Sequence, residues 1–289
     1  MRQEPRGASR VFGNVRRHCL CATTMTPQYD LAFRDIRDGL TRWRMWGRQG
    51  WSDVRARYRR TSFGPFWATL SLGIFMVSFS LVWAQLFKMN VREYLPFVAA
   101  GMLSWTLISG VITEGVMTFI AAEGLIKSMR FPFVVLSCAV VWRNLILFLH
   151  NIVVYIGVMV FCGIPITWAT FQVIPGLIVI CANGVWVATL LGLVGARYRD
   201  MQQLIVSILQ ILMFITPVFW SPSQISGRAS AILVDLNPFV HYIEIIRQPL
   251  LGKSASLLDW QFVLACTVIG WFLTLFMYSR FRHRIAYWL

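Results

Sequence analysis

Apolar residues recur with a helical period near the start of the chain. Tyr29, Phe33, Ile36, Leu40 and Trp43 follow one another at spacings of 4, 3, 4 and 3, with Asp and Arg between them. That spacing lays one apolar stripe along a helix. Gly47 and Gly50 interrupt it, and Trp51, Val54 and Tyr58 resume it among Arg55, Arg57, Arg59 and Arg60. A basic helix with aromatics on its other face lies in a membrane interface.

Beyond Gly64 the polar positions thin out. Six apolar runs follow, over about 66–87, 95–119, 132–161, 171–194, 201–219 and 260–278. A helix needs roughly 20 residues to cross the hydrocarbon core. The third run is longer than that, so it tilts or extends past the bilayer. After Pro217 the pattern changes, through Ser221-Pro222-Ser223 and Leu236-Asn237-Pro238, and Ile243 to Leu251 is too short to span. The expected fold is an all-α membrane protein. Six transmembrane helices fill residues 66–289, a cytoplasmic amphipathic interface helix occupies 25–65, and short re-entrant helices lie on the outer face between spans five and six. Residues 1–24 are basic and lack an apolar core segment, so they are not expected to be a signal peptide. They are expected to be an N-terminal extension with little order, which makes Met25 a second candidate start.

Composition agrees. Of 289 residues, 57% are hydrophobic and 13% charged, with a mean hydropathy of +0.61, whereas a soluble domain carries roughly 25% charged residues. A net charge of +15 would suit nucleic acid, but 14 of the 27 basic residues precede Gly64. That placement points to a membrane surface, and no nucleic-acid partner is expected. With six spans, 21 of the 27 basic residues fall on the side of the termini and five on the other. Both termini are therefore expected in the cytoplasm.

Candidate chemistry is sparse. Cys19, Cys21, Cys138, Cys162, Cys181 and Cys266 show no metal spacing, and no metal site or catalytic residue is expected. Gly252-Lys253-Ser254 lacks the earlier glycine of a phosphate-binding loop. The four histidines are scattered without a nucleophile–base pattern. Glu114, Arg143 and His150 are the ionisable groups inside the runs, where charge is costly and is usually paired or functional. Arg143 lies about 17 Å along the third span from Pro132, close enough for its long side chain to meet Glu114. These groups form either a structural polar seam between helices or a substrate or proton site. Between the second and third runs, Glu123 and Lys127 stand at i, i+4 in a short basic loop.

Several stretches together resemble a known family. They are Arg57-Tyr58-Arg59-Arg60-Thr61-Ser62-Phe63-Gly64-Pro65-Phe66-Trp67, Gly124-Leu125-Ile126-Lys127 with Phe131-Pro132, and Ala196-Arg197-Tyr198-Arg199-Asp200. Thr216-Pro217-Val218, Leu236-Asn237-Pro238 and Arg284-Ile285-Ala286-Tyr287-Trp288 complete the set. From about Tyr29 onward the chain resembles the permease subunit of bacterial polysaccharide ABC exporters, of the O-antigen, teichoic-acid or galactan type. The resemblance implies a multi-pass homodimer in the bacterial cytoplasmic membrane, joined to two copies of a separate ATPase subunit that carries ATP and Mg. This chain would bind no cofactor, would not be an enzyme, and would move a lipid-linked glycan. It further implies that Tyr58, Arg59, Arg60, Glu123, Gly124, Leu125, Ile126 and Lys127 contact the ATPase, with Leu125 and Ile126 docking into it. Phe75, Phe79, Trp83 and Phe87, spaced by four, form a slowly winding aromatic stripe that could line a sugar channel or pack against lipid and neighbouring helices. Competing readings are a secondary transporter, which lacks support because no repeated halves are visible, a membrane-embedded glycolipid enzyme, which would need convergent carboxylates, and a purely structural scaffold.

Overall fold

The computed structural model describes residues 26–59, 64, 66–86, 88–129, 131–221 and 236–289. The expected extension at 1–24, Arg60 and Phe87 lie outside the described residues. Every regular element among the described residues is helical. In order they are α1 (Thr26–Thr41), α2 (Trp43–Tyr58), α3 (Phe66–Leu86), α4 (Val91–Val116), α5 (Glu123–Ser128) and α6 (Val134–Cys162). Then come α7 (Val173–Arg197), α8 (Met201–Ile215), α9 (Pro238–Leu250), α10 (Leu257–Phe281) and α11 (Ile285–Trp288).

Five described helical stretches are long and apolar enough to cross a membrane: α3, α4, α6, α7 with its preceding 3-10 turn, and α10 with the turns after it. The run expected as a fifth span is shorter than its composition suggests. α8 has 15 residues, about 22 Å of helix, and stops at Ile215 rather than near Phe219. Pro217 explains the stop, because the residue before a proline is pushed out of the helical region, and Thr216 is extended, with ψ 137°. α4 begins earlier than the apolar run does. The Asn90 side chain accepts a hydrogen bond from the Arg92 amide and caps the helix.

α4 is the centre of the bundle. Two thirds of its apolar window (67%) is buried, against 17% for α3. It packs on α3, α6, α7, α8 and α9, with Val98, Ala99, Ala100 and Leu103 fully enclosed. Small residues let the helices approach closely. A Cβ on Gly115 would lie 3.0 Å from the Ala188 backbone, and one on Gly195 only 2.1 Å from the Val116 carbonyl.

The interface helix is in fact two helices, α1 and α2, and the expected stripe is not its packing face. Of Tyr29, Phe33, Ile36, Leu40 and Trp43, Ile36 alone is buried. Ala32, Asp35, Ile36 and Gly39 press onto the bundle instead, and a Cβ at Gly39 would sit 2.8 Å from Val134 Cβ. The two faces adjoin, about 80° apart around the helix. Small residues fit against α6, and the larger apolar ones stay outside.

Among the described residues, α1 and the C-terminal turns gather at one end of the bundle, the terminal end. Asp35 of α1 accepts from Tyr278 Oη, from Arg282 Nη2 at 2.9 Å and from the Phe133 amide at 3.3 Å. Arg199 reaches the Leu289 carbonyl at 3.5 Å. The other end is marked by Tyr155, which donates to the Leu250 carbonyl (2.8 Å), and Thr167, which donates to that of Gly252 (2.9 Å).

Candidate functional site

Four charged side chains from three helices form a ladder near the terminal end. Glu114 lies in the last turn of α4, where the helix dipole opposes a carboxylate. It is held there by cations: Oε1 accepts from Arg57 Nη2 at 2.7 Å, and Oε2 from Arg143 Nε at 2.8 Å and Nη2 at 2.7 Å. Asn144 Nδ2 adds a further bond to Oε2 at 2.8 Å. Arg143 Nη1 continues to Asp53 Oδ2 at 2.6 Å, and Gln49 Nε2 donates to the other Asp53 oxygen at 3.1 Å. The expected Glu114–Arg143 contact is present. Sequence reasoning missed its partners on α2, although Asp53 and Arg57, four apart, share a helix face.

Side-chain exposure grades along the ladder, from 14% for Arg143 and 20% for Glu114 to 31% for Asp53 and 46% for Arg57. Burial alone would lower the Arg57 pKa, but the hydrogen bond and charge of Glu114 outweigh it and raise it above the ordinary value. A cleft of about 400 Å³ lies alongside, lined in part by Asp53, Arg57, Glu114, Arg143 and Gln202. The ladder ties the interface helix to two membrane helices with two positive and two negative charges. His150 does not join it. Its Nδ1 bonds to the Ile146 carbonyl of its own helix at 2.8 Å, and its ring meets Phe66 edge-on at 5.7 Å. It faces a separate cleft shared with Tyr58 and Arg59.

The loop after α4 carries α5, a six-residue helix. Lys127 Nζ donates to Glu123 Oε1 at 2.6 Å. That bond, with the lysine's charge, holds the Glu123 carboxyl below its ordinary value. Ile126 is buried, at 6% exposure, and Leu125 packs against the core. Gly124, Lys127, Ser128 and Met129 face outward. The surface that α5 offers is therefore its glycine and charged face, with Ile126 engaged inside the chain itself.

Phe75, Phe79 and Trp83 form a ladder of rings along α3. Successive centroids are 5.6 Å and 5.3 Å apart, with rings inclined by 28° and 22°. Phe219, which lies past the end of α8, packs on Phe79 with centroids 4.4 Å apart. Phe75 is 45% exposed, so the stripe is partly open in the protomer. Arg247, which the sequence pattern places among outer-loop charges, is 1% exposed inside the fold. Its spacing of three from Glu244 was the available signal, since such neighbours pair on a helix.

Residues 49–251 match the ABC-2 type transporter family. The chain is similar to an O-antigen export system permease protein RfbA of Myxococcus xanthus, with 26% identity over 193 residues that cover 65% of this chain and 73% of that one. It is also similar to a protein of the same name from Klebsiella pneumoniae, with 21% identity over 240 residues, 81% of this chain and 90% of the relative. The family match runs from α2, across the charge ladder, α5 and the aromatic rings, to the end of α9, and by it this multi-pass membrane chain belongs to the ABC-2 type transporter family.

Proposed function

We propose that this chain is the transmembrane subunit of an ATP-driven exporter that moves a lipid-linked polysaccharide, of the O-antigen, teichoic-acid or galactan type, across the bacterial cytoplasmic membrane. It works as a homodimer with two copies of a separate ATPase subunit, which bind ATP and Mg; this chain binds no cofactor and catalyses no reaction itself. Both termini face the cytoplasm. The chain crosses six times, because the segment from Met201 to Gly252 begins at the terminal end and finishes at the opposite one. α8 makes most of that crossing, and α9 is re-entrant, starting beside Trp105 of α4 (Phe239 ring at 5.6 Å) and ending beside Tyr155. The outward face of α5, with Gly124 and Lys127, and the end of α2, with Tyr58 and Arg59, meet the ATPase. The charge ladder passes movement of α2 to α4 and α6.

One observation carries the substrate reading: the unbroken stack of Phe75, Phe79 and Trp83. Flat apolar rings stack on the apolar faces of sugars without fixing a hydroxyl pattern. A sliding polymer needs such weak, repeated contacts. The test replaces Phe75 and Trp83 by Ala and then by Leu in cells that lack the native copy. Surface polysaccharide is read against protein level and ATP hydrolysis. Both pairs are expected to export poorly while hydrolysis persists. Full export by the Leu pair would show that bulk alone matters and would overturn the channel reading.

A further inference from the structure

The chain leaves the helical state between α8 and α9 inside the bundle. Thr216, Pro217, Val218 and Phe219 are all buried and none is helical. A Cβ on Gly101, about 15 Å along α4 from Val91, would lie 3.0 Å from the Val218 carbonyl. Irregular backbone at such depth persists only where protein groups take up its hydrogen bonds. The Val218 amide bonds back to the Thr216 carbonyl at 2.7 Å, which closes a γ-turn around Pro217. Three side chains from elsewhere hold the rest. Asn237 Nδ2 donates to Thr216 Oγ1 at 2.9 Å, Arg247 Nη1 to the Pro217 carbonyl at 2.6 Å, and Tyr94 Oη to the Phe219 carbonyl at 2.6 Å.

Arg247 is the central member of this set. Its guanidinium lies 4.2 Å over the Phe97 ring, and Nη2 pairs with Glu244, whose second oxygen accepts from Gln248 Nε2 at 2.7 Å. A planar fork binds two partners in fixed directions while its face stacks on a ring, a geometry that a compact lysine ammonium does not offer. The turn that it grips leads straight into Phe219, the ring set against Phe79.

We propose that Arg247 is a positioning residue for transport: by clamping the Pro217 carbonyl it fixes the turn after α8 and holds the buried Phe219 ring against Phe79, so that Phe219 backs and aligns the α3 rings along which the sugar moves. This rests on the export reading above, but the clamp itself can be measured without any substrate. The experiment compares the unaltered chain, Arg247→Lys, and the double variant Glu244→Gln with Arg247→Gln, each with its ATPase. The double variant leaves no unpaired buried charge, which keeps it foldable. Amide exchange is read in nanodiscs, and surface polysaccharide is read in cells by periodate staining.

In the double variant, exchange of the Val218 amide is expected to rise at least about tenfold, the factor that one hydrogen bond to a charged group is worth. α6 and α7 should stay as protected as before, and surface polysaccharide should fall by more than half at equal protein level and ATP hydrolysis. Arg247→Lys should lie between the two. If the double variant fails to accumulate, Tyr94→Phe loosens the same segment without touching a charge and should shift both readouts the same way. Unchanged exchange at Val218 would overturn the clamp, and faster exchange with full surface polysaccharide would overturn the positioning role. An unaltered chain that brings no polysaccharide to the surface would sink the export reading instead, while exchange would still decide the clamp.

Discussion

Arg143→Leu should loosen the hold of the membrane helices on the interface helix, and its cost can be worked from the ladder. Removing one member of a buried ion pair costs about 3–5 kcal/mol, because the other charge is left uncompensated. Here that figure shrinks. Glu114 keeps Arg57 and Asn144, and Asp53, with 31% of its side chain exposed, can hydrate. About 2–3 kcal/mol remains, or a fall in Tm of roughly 3–5 °C for a chain of 289 residues at about 2.1 cal/mol/K of unfolding entropy per residue. Glu114→Gln should cost less, about 1–2 kcal/mol, since Arg143 retains Asp53. The pair Glu114→Gln with Arg143→Leu should be at least about 1 kcal/mol more stable than the sum of the two single changes predicts, as expected for residues in one network. Thermal unfolding in a single detergent, followed by tryptophan fluorescence, measures all three; Trp46 and Trp142 meet beside the ladder with centroids 5.7 Å apart. A shift under about 1 °C for Arg143→Leu, or strict additivity in the double variant, would refute the reasoning.

Gly124→Arg should leave protein level and Tm unchanged, because a Cβ there meets nothing, yet abolish export if α5 docks on an ATPase; full export would exclude that docking. Ile126→Asp should instead abolish accumulation of the folded protein, since it places a carboxylate at a site only 6% exposed; western blots of membranes separate the two variants. Gly195→Ala forces a Cβ to 2.1 Å from the Val116 carbonyl and should cost about 1–3 kcal/mol by overpacking, read as a lower Tm. The Glu123 carboxyl is held low by Lys127, so the pair's contribution is present above the ordinary Glu value of about 4.3 and lost as pH falls through the lower folded value. Titration of the labelled Glu123 carboxyl in nanodiscs should therefore give a higher pKa in Lys127→Met than in the unaltered chain, and equal values would refute the pairing.

Local information in the chain was enough for the long apolar helices, the helical and basic character of the interface segment and the ring stripe from Phe75 to Trp83, but not for the break at Arg42, since α2 runs unbroken through Gly47 and Gly50. Each depends on residues three or four apart, and that spacing is visible in a single sequence. Glu114 and Arg143 were likewise legible as partners, because unpaired charge inside a membrane is too costly to leave alone. Other features needed the assembled fold. Ile126 and Leu125 look like exposed loop residues by pattern, yet the core takes them in, because burial depends on which helices close over a turn. α1 packs through Ala32 and Gly39 rather than its larger apolar side chains, since the gap against Val134 admits only small residues. Arg247 shows the limit most plainly. Its neighbours in sequence suggest a loop charge, but its partners, Phe97 and the Pro217 carbonyl, lie 150 and 30 positions away, and only packing of α4, α8 and α9 brings the ring and the carbonyl up to its guanidinium.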